Sequence, residues 1–398
     1  MNFDNTNIDW VLGALLIALI DFVLLTIAFF KRRIRIENQD NSDFAILVPI
    51  FNKVEYLKNI QFLSENKDKV YILTTTKESE EFNRELEKIC NINSFKLFKA
   101  DIGDKDPTPW ILYSIALHGK SMDSEMISNK NIILLDGDTY SNDNLSNLVY
   151  SFAKSELDLA SLCILPDKPF SIAEKVQYVE YYIAMQVRNV LPHLTSGAAM
   201  IGKKEVLKRI FARHSMFFQG GDIEVGFIAK KMTYSVGYIP FTFFTSVPFK
   251  FTNLIKQRLS WGSGTFRIFF VNIFQVIKNH PWEIFYTIGF IYVLWYLKLV
   301  SLVIYFPIVF LISYLIYIVF LSLITFKSFY LSVFLSPVFS IVQSFILFPI
   351  GIIVYLRRVY ISKNFGWIKV SDPRRNVALL IGNHSLHSNI LELEKPKK

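Results

Sequence analysis

The sequence predicts an α/β domain that is flanked by membrane helices on both sides. Apolar residues make up 52% of the chain and charged residues only 19%, whereas about 25% of a typical soluble domain is charged. The uncharged runs lie near the two ends of the chain, and a long charged block separates them. Within that block, short β-branched runs alternate with amphipathic stretches of helical length, a pattern typical of a parallel sheet with covered faces.

The N-terminal part of the chain predicts a membrane anchor. Residues 1–9 precede an apolar run over 10–30, which is interrupted by one charge, Asp21, and is long enough to cross a hydrocarbon layer of about 30 Å. Lysine and arginine follow this run directly and none precedes it. The positive-inside rule therefore places the N-terminus outside and the next block in the cytoplasm. A cleaved signal peptide would carry its basic residues on the other flank, so we expect an uncleaved anchor.

The cytoplasmic domain is predicted at residues 31–265. Its first strands are expected at four short apolar runs, Ala45–Phe51, Val70–Thr76, Ser94–Ala100 and Asn131–Asp136. The other expected elements are helices at Glu78–Ile89, Trp110–His118, Ile172–Val190 and Asp222–Lys231, and a strand at Gly197–Ile201. Ligands of such sheets bind at the carboxyl ends of the strands. The first strand has no glycine-rich dinucleotide motif after it and the chain has no Walker sequence, which argues against dinucleotide-dependent redox enzymes and P-loop ATPases.

The C-terminal part predicts a transmembrane bundle over 284–356, where Lys298 and Lys327 are the only charges. Runs divided at these lysines would give three spans, but the basic tail at 357–398 should stay in the cytoplasm and requires an even number of crossings. Four short spans, or two spans with an interfacial segment, satisfy this requirement. The amphipathic segment 266–279 predicts a helix lying on the membrane surface. A surface helix of the cytoplasmic domain is the alternative.

Charge and cysteine content exclude further classes of protein. The net charge of +9 arises largely beside the apolar runs, where it suits anionic lipid headgroups, so we expect membrane lipids and no nucleic acid as partners. The two cysteines, Cys90 and Cys163, are too few for a disulfide framework and lack metal-ligand spacing. Few ionisable groups lie inside the apolar runs, which argues against ion or proton transport.

A pair of carboxylates follows the fourth predicted strand. Asp136 and Asp138 stand two residues apart where a ligand of an α/β sheet should lie. Hard oxygen ligands of this kind suit Mg²⁺ or Mn²⁺ bound together with substrate phosphates. The sequence thus predicts a divalent cation site, and a solvated turn is the alternative interpretation.

Five motifs in a fixed order identify a family resemblance over residues 44–265. The motifs are VPIFN (Val48–Asn52), DGDT (Asp136–Thr139), SGAAMIGKK (Ser196–Lys204), GGDIE (Gly220–Glu224) and QRLSW (Gln257–Trp261). In this order the chain resembles the family-two inverting glycosyltransferases. The resemblance is strongest to the membrane-embedded branch that contains cellulose, chitin and hyaluronan synthases and ceramide glucosyltransferase.

The resemblance implies a type-A glycosyltransferase fold, which is Rossmann-like, and a set of roles. Asp136 and Asp138 match the family's ligands of a divalent ion, Mg²⁺ or Mn²⁺, and of the nucleotide diphosphate. Asp222 matches the general base that takes a proton from the acceptor hydroxyl. Gln257 and Trp261 match the QxxRW positions that hold the donor diphosphate and stack on the acceptor sugar.

Further donor contacts follow from the same resemblance. Pro49, Asn52 and Thr74 lie at the ends of the first two predicted strands and are expected to bind the nucleotide sugar, as is Arg258. The sequence also departs from the family here. Residues 74–77 (TTTK) replace the aspartates that hold the nucleobase, and Ser260 stands where the arginine of QxxRW is expected. The nucleobase therefore stays open, with a UDP-sugar as first expectation.

Two of these residues have structural alternatives. Asp222 precedes a helix-like segment and would suit its N-cap. Trp261 lies before a hydrophobic stretch and would suit an interfacial aromatic belt.

The sequence as a whole predicts an integral membrane hexosyltransferase of the inverting type, in a prokaryotic plasma membrane. Its first expected acceptor is a growing polysaccharide, which would be exported through the enzyme's own membrane helices. Transfer of a single sugar to a lipid is the alternative acceptor reaction. An inactive or partner-dependent glycosyltransferase-like membrane protein is the second alternative.

Overall fold

The described residues form two compact units. The sheet unit is formed within Arg32–Asp167 and Leu191–Ser246, and the helical unit within Lys168–Val190 and Val247–Val354 together with residues 25–31. The computed structural model describes residues 25–102, 108–118, 127–216, 220–279, 304, 307–324, 332–357 and 361.

Strands of the sheet unit build one mixed sheet. In the described chain they are β1 (Phe44–Pro49), β2 (Val70–Thr75), β3 (Lys96–Ala100), β4 (Asn131–Leu135), β5 (Leu159–Pro166), β6 (Ala199–Lys203) and β7 (Val236–Thr245). Their order is β3-β2-β1-β4-β6-β5-β7. The first four strands pair in parallel, as do β5 and β7, whereas β6 is antiparallel to both of its neighbours.

Helices lie between the strands in the chain and continue after β7. They are α1 (Ile60–Ser64), α2 (Glu80–Asn93), α3 (Pro109–His118), α4 (Leu145–Lys154), α5 (Ile172–Val190), α6 (Lys204–Phe211), α7 (Gly221–Lys231), α8 (Phe251–Asn279), α9 (Pro307–Ile324), α10 (Ser332–Val342) and α11 (Phe348–Leu356). Short 3₁₀ turns lie at Val54–Tyr56 and Lys67–Lys69, and a π-helical turn at Gln343–Leu347 joins α10 to α11. Residues 25–30 are also helical.

The predicted parallel sheet is confirmed for β1 to β4 and is wrong at β6. A parallel neighbour needs a crossover that returns the chain to the same edge of the sheet. β6 instead begins at the edge of the sheet where β5 ends, so it runs antiparallel to both β5 and β4. The predicted strand at Gly197–Ile201 is thus present, shifted to Ala199–Lys203 and reversed in direction.

Burial explains why the first strands are so apolar. β1, β2 and β4 are buried along their whole length, as expected for a central strand covered on both faces. Their side chains join one core cluster with residues of α3, α6 and α7. A polar substitution at any position of these strands would therefore place a polar side chain in the hydrophobic core, whichever face of the sheet it points to.

Local capping sets the bounds of α2 more precisely than periodicity does. The helix was expected at Glu78–Ile89, but Ser79 is its N-cap and accepts a hydrogen bond from the N–H of Phe82 at 3.2 Å. At the other end Ser94 adopts a left-handed conformation with φ 59°, which ends the helix.

The helical unit is built around α5, whose predicted bounds Ile172–Val190 are confirmed. Val179 of α5, Ile318 of α9 and Val333 of α10 form a buried apolar cluster. Asn189 of α5 donates from Nδ2 to the carbonyl oxygen of Ala28 at 3.1 Å, which ties residues 25–30 to this helix.

The predicted membrane segments are described only in part. The interface helix expected at 266–279 is the C-terminal part of α8, which begins at Phe251 without a break at 265. Residues 1–24, much of 284–356 and nearly all of 357–398 lie outside the described residues. No helix in the described part of the chain combines the length and the apolar character that a membrane crossing requires.

Two glycines of the sheet unit offer a matched test of packing. A Cβ at Gly226 on α7 would lie 1.9 Å from the backbone oxygen of His193, whereas a Cβ at Gly237 on β7 would meet the flexible side chain of Leu157 at 2.3 Å. We expect Gly226→Ala to lower the free energy of unfolding by about 3 kcal/mol and Gly237→Ala by about 1 kcal/mol, because only the side chain can turn away. Chemical denaturation measures both, and equal losses would contradict this account.

Candidate active site

The turn Asp136–Thr139 follows β4 directly and is held by main-chain hydrogen bonds. The carbonyl oxygen of Gly137 accepts from the N–H groups of Lys58 (2.7 Å) and Asn59 (3.2 Å). The Asn59 side-chain amide donates to the carbonyl oxygens of Asp136 (3.2 Å) and Thr139 (2.6 Å). Since the backbone is fixed on both sides, the carboxylates of this turn keep their place at the carboxyl edge of β4.

Asp138 is held by two threonine hydroxyls. Thr139 Oγ1 and Thr245 Oγ1 lie 3.4 and 3.3 Å from its Oδ1 and donate to it. Burial raises the pKa of the Asp138 carboxyl, and the charge of Lys58 and the two hydroxyl donors oppose that rise. The carboxylate is thus partly stabilised before any ligand is present.

Asp222 lies in the first turn of α7. The N-cap of this helix is Gly220, which has a φ of 83°, so the N-cap interpretation of Asp222 is wrong. The Asp222 carboxylate instead accepts a hydrogen bond from the N–H of Gly197 at 3.1 Å, and its backbone oxygen accepts from the hydroxyl of Thr195. Contacts to the segment before β6, outside its own helix, therefore orient this side chain.

The three carboxylates affect one another. Burial, together with the charges of Asp138 and Asp222, raises the pKa of Asp136 from the ordinary value of 3.8 to about 8, and burial is the largest of these causes. Like charges gathered in a partly buried place favour a proton or a cation there. The site is therefore acidic and is arranged to attract positive charge.

The donor set fits a hard divalent ion. Carboxylate oxygens are the ligands that Mg²⁺ and Mn²⁺ prefer, and Asp136 and Asp138 present them on one short turn. Among the described residues, no group of three His, Cys, Asp or Glu side chains is placed to hold a metal by itself. An ion at this turn would need further oxygens, such as those of a bound phosphate.

Three predicted donor-binding residues lie at the carboxyl ends of β1 and β2. Pro49 is the buried last residue of β1. Asn52 is exposed, has a φ of 68°, and its N–H donates to Oε2 of Glu78 at 3.2 Å. Thr74 is fully buried in β2, and its hydroxyl has no hydrogen-bond partner among the described residues.

The QRLSW residues lie in the helical unit, on α8. Arg258 is only 1% exposed, donates from Nη2 to Oε2 of Glu180 at 2.6 Å and from Nη1 to Oε1 of Gln257 at 2.9 Å. Its guanidinium carbon lies 4.2 Å from the ring centroid of Trp261, which is 43% exposed and also packs against Tyr181. Arg258 is thus engaged in an ion pair with α5 while the indole beside it remains accessible.

Sequence reasoning missed a group of residues beneath Asp222. Trp110 of α3 stacks on His214 with ring centroids 5.4 Å apart, and Phe211 packs against both. Glu224, two positions after Asp222, is buried and bonded to Ser215. The GGDIE motif includes Glu224, but no sequence pattern marked Trp110, Phe211 and His214 as its neighbours.

Comparison with known proteins gives one family match. A family model described as "Glycosyl transferase family group 2" matches residues 131–356, which include Asp136, Asp138, Asp222 and the QRLSW segment. No protein with a curated description matches the chain.

Solved structures show weaker likeness. The mannosyltransferase PcManGT from Pyrobaculum calidifontis, in complex with GDP-Man and Mn²⁺, is 12% identical, with a TM-score of 0.45 over 97% of this chain and 100% of its own. Glucosyl-3-phosphoglycerate synthase from Mycobacterium tuberculosis, with Mn²⁺, UDP-glucose and phosphoglyceric acid, is 10% identical, with a TM-score of 0.35 over 61% and 81%. A putative glucose-1-phosphate thymidylyltransferase from Bacillus anthracis is 9% identical, with a TM-score of 0.31 over 50% and 88%.

The raised pKa of Asp136 predicts a pH-dependent stability. The folded state favours the protonated carboxyl, so its stabilising effect is present below pH 3.8 and is lost as the pH rises towards about 8. Asp136→Asn removes this loss, and in EDTA it should be more stable than the wild type at pH 8.5 by an amount on the order of a few kcal/mol, with a smaller difference at pH 5.

Thermal and chemical unfolding at both pH values test this expectation. Asp143→Asn is the matched control, because Asp143 is an exposed carboxylate in the nearby loop. The same pH-dependent gain in the control, or none in Asp136→Asn, would contradict the electrostatic account.

Proposed function

Because the chain belongs to glycosyl transferase family group 2, we propose that it is a membrane-bound inverting glycosyltransferase that transfers a sugar from a nucleotide-diphosphate sugar. The observation that carries the proposal is the electrostatic proximity of Asp136, Asp138 and Asp222 at the carboxyl edge of β4. The turn with Asp136 and Asp138 is suited to bind a cation and phosphates, and the third carboxylate, Asp222, lies near it on α7. A transferase that activates an acceptor and stabilises a leaving diphosphate needs both parts.

The turn Asp136–Thr139 is the donor end of the proposed site. Asp136 and Asp138 would hold Mg²⁺ or Mn²⁺, which supplies positive charge to the diphosphate leaving group. Thr139 and Thr245 keep Asp138 in place through their hydroxyls. Pro49, Asn52 and Thr74 lie at the ends of the neighbouring strands, where the nucleoside of the donor would bind. The rigidity of the turn means that little reorganisation is needed when the donor arrives.

Asp222 is the proposed general base. An inverting transfer requires one carboxylate on the acceptor side, which takes the proton of the attacking hydroxyl. The hydrogen bond from the Gly197 N–H orients the Asp222 carboxylate, as a base that must meet the acceptor hydroxyl requires.

Trp261 is the proposed acceptor platform, on α8. Its exposed indole, held by Arg258 and Tyr181, offers an apolar face to the C–H surface of a sugar. Gln257 would contact the donor diphosphate. Arg258 was also expected to contact the donor diphosphate. In the structure its guanidinium is bonded to Glu180, and the contact with the diphosphate stays a prediction.

We take a growing polysaccharide as the first acceptor and a lipid as the alternative, in either case at the cytoplasmic face of a prokaryotic plasma membrane. The apolar runs at 10–30 and 284–356 support membrane attachment. Resistance of the full-length protein to alkaline carbonate extraction from membranes would support it too, and release into the soluble fraction would contradict it.

Two variants should distinguish the residues that bind the donor from the residue that drives sugar transfer. We expect Asp138→Ala to lose Mn²⁺-dependent binding of the donor by at least about tenfold, because the ion loses a ligand. Asp222→Asn should keep donor binding within about twofold yet lower transfer by at least about a hundredfold, because it removes only the base. Asp143→Asn, an exposed neighbour, should change neither.

The experiment uses purified full-length protein with Mn²⁺ or Mg²⁺ and offers UDP-, GDP- and dTDP-sugars in parallel, with release of nucleoside diphosphate as the readout. Full turnover in Asp222→Asn would disprove its role as base. Folded wild-type protein that binds no donor in the presence of either ion would favour the inactive or partner-dependent alternative.

The products decide the acceptor. Membrane lipids and oligosaccharides are supplied with the active donor, and the products are resolved by size. A ladder of long glycans is the expected result for a polysaccharide synthase, whereas a single glycolipid would establish the alternative reaction.

A further inference from the structure

A fully buried histidine lies directly behind the proposed base. The Nδ1 atom of His214 accepts a hydrogen bond from the N–H of Met216 at 3.0 Å, so in the neutral ring the proton lies on Nε2. Nε2 lies 2.9 Å from the carbonyl oxygen of Gly221 and donates to it. Gly221 is the residue before Asp222, so this bond fixes the peptide that leads into the base.

A buried carboxylate completes the arrangement on the same helix. Glu224 accepts from the N–H of Ser215 at 3.0 Å and from its hydroxyl at 2.7 Å. One oxygen of Glu224 lies 3.8 Å from His214 Nε2. Residues 214–216 are thus bound at two points to the first turn of α7.

Trp110 closes the arrangement from α3. Its indole stacks on His214, and an added Cβ at Gly221 would lie 2.3 Å from its Nε1 atom. The first turn of α7 therefore meets the stacked pair at Gly221, where the indole leaves no room for a Cβ and His214 bonds to the carbonyl oxygen. A small shift of this turn would move the Asp222 carboxylate away from the N–H of Gly197.

We propose that His214 is a positioning residue for Asp222, which acts by donating from Nε2 to the carbonyl oxygen of Gly221. The inference rests on the proposed function in one respect, the role of Asp222 as base. It adds a residue that touches no substrate, because His214 is fully buried. A displacement of about 1 Å at a reacting group is enough to cost roughly a hundredfold in rate.

Two amide variants separate the two hydrogen bonds of the imidazole. In His214→Gln the amide nitrogen replaces Nε2 and keeps the bond to Gly221, whereas in His214→Asn the amide oxygen replaces Nδ1 and keeps only the bond to Met216. We expect His214→Gln to retain kcat within about threefold and His214→Asn to lower kcat by at least about tenfold. The KM for the donor should change less than about twofold in both, because the donor end is untouched.

Amide hydrogen exchange provides a readout that does not need turnover. The Gly197 amide, which donates to Asp222, should exchange at least about tenfold faster in His214→Asn and at the wild-type rate in His214→Gln. Each variant loses one hydrogen bond, so their melting temperatures should fall by similar amounts. A purely structural role would lower kcat in both variants in step with their melting temperatures, which would overturn the proposal.

The remaining outcomes are also decisive. If the wild type transfers no sugar, the proposed function fails, and exchange at Gly197 still tests the positioning by His214. If His214→Asn does not fold, His214→Ser takes its place, because serine also lacks a donor at the position of Nε2 and should likewise speed exchange at Gly197. Unchanged exchange in a folded His214→Asn or His214→Ser protein would overturn the proposal.

Discussion

Mutual repulsion of carboxylates at the carboxyl edge of β4 is the constraint on which the site depends. Asp136, Asp138 and Asp222 are close enough for each charge to disfavour ionisation of Asp136. The chain tolerates this cost because main-chain hydrogen bonds hold the turn after β4 from both sides and a buried sheet supports it. A cation or a proton lowers the free energy of the arrangement, so the repulsion between the carboxylates favours the binding of a divalent ion together with a diphosphate.

Much of the fold could be predicted from local pattern. β1, β2 and β4 are covered on both faces, so they stand out as continuous apolar runs, and α5 follows its periodicity closely. The direction of β6 could not be predicted, because periodicity marks a strand but carries no information on its partner. The start of α8 was missed for a related reason. Apolar character changes near residue 265, but the backbone continues as one helix through the change.

The candidate site also contains residues that a sequence pattern marks and residues that only the structure shows. Asp136 and Asp138 could be singled out because they stand at the end of an apolar strand, where ligands of such sheets bind, and Asp222 because its motif has a fixed order relative to theirs; their roles stay predictions. His214 and Trp110 were not found, since their stacking joins residues more than a hundred positions apart and the bond from His214 to Gly221 belongs to no recognisable motif. The N-cap interpretation of Asp222 failed because Gly220, with its positive φ, takes that position. Propensity alone does not show that the helix is capped two residues earlier.

The reversed strand at the centre of the sheet has a consequence during synthesis. β4 gains its second neighbour only when β6 has been made, after α4, β5 and α5. At ~5–20 residues per second, a nascent chain would leave that strand edge open for several seconds. An unpaired edge of buried apolar strands is a template for pairing with other chains. The ribosome-bound intermediate is therefore exposed to pairing with other chains until β6 has been made.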